Sequence, residues 1–293
     1  MKLTKTILLA FLVVAFCSCN DNKTEKTVIT VSIEPLRYFV EQIAGDRAEV
    51  VSLVPKGSSP ETYEPTAKQM VDLSKSVLFV KIGDLGFEKT WMKKLDSFSS
   101  HITIVNSSEG IKTVETSTKG VTDQHTWMST RNALVIARNI YEEMIKIDKQ
   151  SEVYYKQRYD SLVAHIEAID NEISQKVKSA TTRSFIIYHP ALTYFAHDYG
   201  FKQLALEEDG REPSAASLAS LITEAKKAGT KLMFVQKEFD NRNKEIILVE
   251  TGVKTIDINP LDYDWTRQMT IIADALASQD TLTVENHASL GND

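Results

Sequence analysis

Cysteine is almost absent from the chain: of 293 residues only Cys17 and Cys19 carry a thiol, and both lie at the extreme N-terminus. A domain folded downstream of them has no thiolate nucleophile, no zinc–thiolate site and no iron–sulfur cluster, so any metal must be held by nitrogen and oxygen. Glycine is scarce at 11 residues, and there is no phosphate-cradling glycine loop, no Gly-x-Ser-x-Gly elbow and no His-Glu-x-x-His helix. The net charge is −6 with no basic stripe, which excludes nucleic acid or an anionic membrane surface as the partner. No repeat at solenoid or propeller periods and no low-complexity tract occurs. Long hydrophobic runs are missing too. The most apolar segment, Ile7 to Phe16, falls short of the roughly 20 residues that a bilayer-spanning helix needs.

That short run has a different use. Lys2 and Lys5 precede it and Phe16-Cys17-Ser18-Cys19 follows, the order of an export signal. Cleavage before Cys19 would leave an N-terminal cysteine for lipid attachment, as at the start of bacterial lipoproteins, which this segment resembles; an ordinary secretory signal is the alternative. Residues 1–18 are thus expected to be a signal peptide and the polar residues 19–27 a tether from lipid to domain. Roughly 270 residues remain, which suits two lobes of about 130 each.

Strand-like runs of β-branched and aliphatic residues at 28–32, 50–54, 77–82 and 102–105 alternate with helical patterns near 36–43, 67–74 and 87–95. The alternation resumes with strands at 184–187, 203–206, 232–235 and 254–258, and helices near 191–199, 214–228, 241–250 and from 266. Both halves therefore predict α/β lobes, 28–129 and 181–293, each with a small parallel sheet flanked by helices. Between them, 130–178 contains neither Gly nor Pro. Tyr155, Tyr159, Leu162, Ile166, Ile169, Ile173 and Val177 recur there at steps of three and four. The spacing predicts a helix to about 147 and then one long rigid helix over 151–178 joining the lobes, within a connector spanning 130–180. A helical hairpin packed on one lobe is the competing arrangement.

Ligands of open α/β sheets bind beyond the carboxyl ends of strands. His189 follows one predicted strand, Asn259 another, and Glu61 lies a few residues beyond a third, while His125 precedes a helix that Ser129 could cap. Four metal-competent side chains thus fall in loops, two from each half, where they could converge between lobes. Singly each has a plainer role. His101, His165, His197 and His287 are read as surface or hydrogen-bonded residues, with His165 off the apolar stripe of its helix and facing water.

The segments Gly57-Ser58-Ser59-Pro60-Glu61-Thr62-Tyr63-Glu64-Pro65-Thr66, Asp123-Gln124-His125-Thr126-Trp127, His189-Pro190-Ala191-Leu192-Thr193-Tyr194-Phe195 and Asn259-Pro260-Leu261 together resemble the zinc- and manganese-binding solute-binding proteins of bacterial ABC importers, the cluster A-I family. In that family, motifs of the kind Gly-x-x-Pro-His-x-Tyr-Glu-Pro-Thr, Asp-Pro-His-x-Trp, His-Pro-Ala-x-x-Tyr-Phe and Asp-Pro-Leu supply four metal ligands in this order. The resemblance covers essentially the whole mature chain. It implies two lobes joined by a long helix, and a lipid-anchored monomer at the cell envelope that captures a divalent transition metal and delivers it to an ABC transporter permease without catalysis. Its ligands would be Glu61, His125, His189 and Asn259.

Two of those positions depart from the family pattern: Glu61 stands for a histidine and Asn259 for a carboxylate. One change adds a negative charge and the other removes one, so the summed charge of the four is kept. Two imidazoles and a carboxylate suit zinc, and His189 stands where manganese-specific members often carry Glu; the shift toward oxygen donors keeps manganese and ferrous iron in view. A decayed or repurposed site is the alternative. So is a zinc-dependent hydrolase in which Glu61, His125 and His189 hold the metal, water takes the fourth place and Glu64 or Glu238 is the base. A third alternative is a metal-independent, adhesin-like protein on the same fold.

Overall fold

The computed structural model describes residues 26–91, 101–116, 120–207, 213–236 and 243–280. Its first sheet is built from β1 (Thr27–Val31), β2 (Ala48–Ser52), β3 (Leu78–Lys81) and β4 (Thr103–Asn106), all parallel, in the order β2-β1-β3-β4. Helix α1 (Glu34–Ala44) and helix α2 (Ala67–Leu73) fill the crossovers before β2 and β3. Pro35 opens α1, where its missing N–H costs nothing, and Gly45 ends it at φ 58°. The second sheet repeats the plan with β5 (Ser184–Ile187), β6 (Lys202–Ala205), β7 (Leu232–Gln236) and β8 (Lys254–Ile258) in the order β6-β5-β7-β8. β5 and β7 are buried along their whole length, as central parallel strands covered on both faces must be. Helices α5 (Thr193–Tyr199), α6 (Ala215–Ala228), α7 (Lys244–Thr251) and α8 (Trp265–Ser278) complete this lobe.

The connector is a helical hairpin, but one that packs on both lobes rather than on one. Helix α3 (Thr130–Ile147) and helix α4 (Glu152–Val177) form an antiparallel hairpin, broken at Asp148, whose carboxylate accepts from Ser151 N at 3.3 Å and Tyr155 OH at 2.9 Å. Yet α4 is also the strut: its 26 residues, about 39 Å at 1.5 Å each, pack against α1 of the first lobe and α8 of the second. Tyr155, Leu162, Ile166, Ile169, Ile173 and Val177 face inward as their spacing requires. Tyr159 is only half buried, its ring stacked on Tyr141 of α3 at 4.6 Å between centroids.

One hydrophobic core runs through both lobes and the hairpin, with a second, smaller cluster between β5–β7 and helices α6 and α7. The lobe seam is dense. Trp127 and Trp265 are almost wholly buried there; the Trp127 indole donates to the Pro260 carbonyl at 2.8 Å and the Trp265 indole to the Trp127 carbonyl at 2.7 Å. Tyr38 and Phe39 of α1 pack on Trp265, and Tyr263 OH donates to Glu41 at 2.6 Å. No described helix is long and apolar enough to cross a membrane.

Candidate metal centre

The three side chains that meet between the lobes come from three differently built loops. Glu61 sits in the β2–α2 connection, which Gln69 anchors: its amide nitrogen donates to the Leu53 carbonyl at 2.8 Å, and its oxygen accepts from Tyr63 OH at 2.8 Å and Thr66 N at 2.9 Å. Thr66 and Gln69 form a reciprocal capping box at the start of α2. Within the turn, Glu61 N donates to Ser59 Oγ at 3.3 Å.

His125 precedes α3, whose first turn Ser129 caps by accepting from Asn132 N at 3.0 Å. Asp123 shapes this loop through one oxygen, Oδ1, which accepts from His125 N at 2.8 Å and pairs with its Nδ1 at 2.7 Å. His189 lies just past β5, at the point where the strand order reverses between β5 and β7. Its backbone N donates to Gln236 Oε1 at 3.0 Å, and its Nδ1 pairs with Glu207 Oε2, just past β6, at 2.9 Å.

Each imidazole therefore has a buried carboxylate from its own lobe on Nδ1. Such a partner keeps a proton on Nδ1 and presents the lone pair of Nε2, the arrangement typical of a metal-ligating histidine. His189 Nε2 lies 3.2 Å from His125 Nε2 and 3.0 Å from Glu61 Oε1. All three donor atoms lie within 4.8 Å of one another. Three acceptors this close repel unless a cation or a proton sits among them. Zinc ligands at about 2.0–2.1 Å in a tetrahedron stand about 3.3 Å apart, close to the two His189 separations of 3.2 and 3.0 Å.

The electrostatics show the same demand. Burial disfavours a charged His189, but the hydrogen bonds and charges of Glu207 and Glu61 outweigh it and push the imidazole up to about 9. Burial likewise works against charged Glu61 and Asp123, yet contact with His189 and His125 respectively holds both carboxyls below the usual range. Metal-free, the centre binds a proton where a cation would go.

Ser59, Pro60, Ala191, Gln236, Pro260 and Leu261 line the space around the donors, about 20 Å³ and partly open to solvent. Asn259, expected as the fourth ligand, does not line that space, although its neighbours Pro260 and Leu261 do. Its Oδ1 accepts from Leu261 N at 3.0 Å, an Asx turn, and it lines a separate interlobe cavity beside Glu34 and Tyr263. Glu64, one candidate base, is exposed and does not line the donor space; Glu238 and Cys19 lie outside the described residues. His101, His165 and His197 are exposed, His165 pairing with Thr266 Oγ1 at 3.2 Å, and His287 is outside the described residues. The supporting residues Asp123, Glu207 and Gln236 were not singled out from sequence. Asp123 carried a signal, standing two residues before a candidate ligand; Glu207 and Gln236 reach the site only through strand pairing.

Residues 29–279 match the family model ZnuA, zinc-uptake complex component A periplasmic. The high-affinity zinc uptake system protein ZnuA of Bacillus subtilis (strain 168) is 28% identical over 275 residues, covering 86% of each chain. The zinc-binding lipoprotein AdcA of Streptococcus pneumoniae serotype 4 is 26% identical over 304 residues, 97% of this chain and 58% of that protein. A crystal structure of ZnuA superposes with a TM-score of 0.83 at 34% identity, over 87% of this chain and 100% of that one. With the match spanning both lobes and the metal-competent cluster between them, the chain belongs to the ZnuA family of periplasmic zinc-uptake components.

Proposed function

We propose that the protein captures a divalent transition metal, zinc first, with Glu61, His125 and His189, and hands it to the permease of an ABC importer while anchored as a monomer by lipid on Cys19. The observation that carries the reading is the convergence of three lone-pair donors at zinc-like spacing, two of them imidazoles backed by buried carboxylates. Relatives named for zinc uptake and for a zinc-binding lipoprotein support the cargo and the anchor. Asn259 Oδ1 already accepts from Leu261 N, so the reading rests on Glu61, His125 and His189.

Zinc, manganese and ferrous iron titrated into metal-free protein should each be scored by the rise in melting temperature. A site that binds the folded state stabilises it by RT ln(1 + [L]/Kd), so zinc should give the largest shift. His125→Ala combined with His189→Ala should abolish it, whereas His101→Ala with His197→Ala should not. No shift with any of the three metals would reject metal capture; a larger shift with manganese would change the cargo. For the anchor, Cys19→Ala should move the protein from the membrane to the soluble fraction of expressing cells.

A further inference from the structure

A buried glutamate outside the donor set holds together the segment that abuts the Glu61 backbone. Glu88 is fully buried, and its two carboxylate oxygens accept backbone N–H groups from Ile82 at 2.9 Å, Gly83 at 2.8 Å and Leu85 at 3.3 Å. A buried carboxylate costs several kcal/mol unless its acceptors are filled, and here three N–H groups of one turn fill them. The turn leaves β3 through Gly83, whose φ of 146° is closed to most side chains. It ends at Gly86, which abuts the backbone of Glu61. A Cβ on Gly86 would overlap the Glu61 carbonyl oxygen and lie 3.0 Å from its carbon and 3.1 Å from its Cα. One residue on, Phe87 N donates to the Pro60 carbonyl at 3.3 Å, and the Phe87 ring meets Tyr63 edge-on at 6.4 Å.

We infer that segment 82–88, a loop running into the first residues of a helix, is the seat of the Glu61 loop, with Glu88 and Gly86 as positioning residues for the metal-binding carboxylate. The inference rests on the metal-capture reading above. Glu61 is the most exposed of the three donors and lies in irregular chain, so nothing in its own secondary structure fixes it. Glu88 folds the turn into one shape, and Gly86 lets the Pro60–Glu61 backbone lie against it. Glu61 Oε1 then reaches His189 Nε2. Displacing that backbone by the width of a methyl group withdraws the carboxylate while leaving both histidines on their own carboxylates.

A double-variant cycle read by calorimetric titration with ZnCl₂ tests this. Gly86→Ala should weaken zinc binding by about 10- to 100-fold, the usual penalty for disturbing a ligand's support. In a Glu61→Ala background the same change should have almost no further effect on zinc affinity, because the ligand it positions is gone. Glu88→Gln keeps the volume but offers one acceptor oxygen instead of two. It should show a smaller loss with the same dependence on Glu61, and it serves should Gly86→Ala fail to fold. Unchanged affinity in both variants, or an equal fold-loss with and without Glu61, would overturn the inference and leave metal capture standing. Failure of the unaltered protein to bind zinc would overturn both.

Discussion

At the scale of single residues, the centre works by controlling where protons sit. Asp123 and Glu207 each hold one imidazole by Nδ1, and the two Nε2 atoms are left facing Glu61. Replacing Glu207 with Ala frees His189 to rotate and change tautomer, so zinc affinity should fall by about 10- to 100-fold in a calorimetric titration, with the His125 side unaffected. Acidity gives a second expectation. The folded-state pKa of His189 is raised from 6.5 to about 9, so its contribution to stability is complete below about 6.5 and is lost as pH rises through 9. Glu61 and Asp123 are shifted the other way, and their contribution is lost as pH falls below the ordinary carboxyl range. Metal-free protein should therefore melt at a falling temperature between pH 6.5 and 9, while zinc-loaded protein should not. Zinc binding at pH 7 should release a proton, seen as a buffer-dependent enthalpy.

At the scale of elements, α4 and the loops contribute different things. Ile166, at the middle of α4, is fully buried. Ile166→Ala should cost about 2–5 kcal/mol in urea unfolding. Zinc affinity measured well below the melting temperature should be nearly unchanged, since no donor loop rests on that residue. The same contrast explains what could be read from the chain beforehand. The eight strands lie within about two residues of their expected positions, because short β-branched runs and the Gly- and Pro-free stretch before residue 178 are local signals. The loop placement of His125 and His189 was legible for the same reason, each lying next to a recognisable element. The Asn259 side chain's contact with Leu261 N was not legible, because whether an Asn after a strand bonds its own loop depends on backbone geometry that residue order does not encode. Glu207 comes beside His189 only because β6 pairs with β5, and Glu88 reaches its three N–H groups only in the folded turn.

At the scale of the whole molecule, the seam decides how cargo is let in and out. Trp127, Trp265, Phe39 and Tyr38 fill it, and hydrogen bonds from both indoles cross between residues far apart in the chain. Wide opening would expose these rings, each worth about 3 kcal/mol or more of buried surface, and would strip the Pro260 and Trp127 carbonyls of their donors. Exchange should instead proceed through the loops that carry the ligands. The radius of gyration from X-ray scattering should agree within about 1 Å between zinc-free and zinc-loaded protein, whereas a larger contraction on binding would mean that the lobes close as rigid bodies.

The central claim, that two imidazoles and one carboxylate hold the metal, is tested most directly by zinc K-edge X-ray absorption on the one-to-one complex. The expected spectrum has a nitrogen and oxygen shell at about 2.0–2.1 Å with outer-shell scattering from two imidazoles, reduced to one in His125→Ala. A zinc ion without imidazole scattering, or a spectrum that His125→Ala and His189→Ala both leave unchanged, would contradict it.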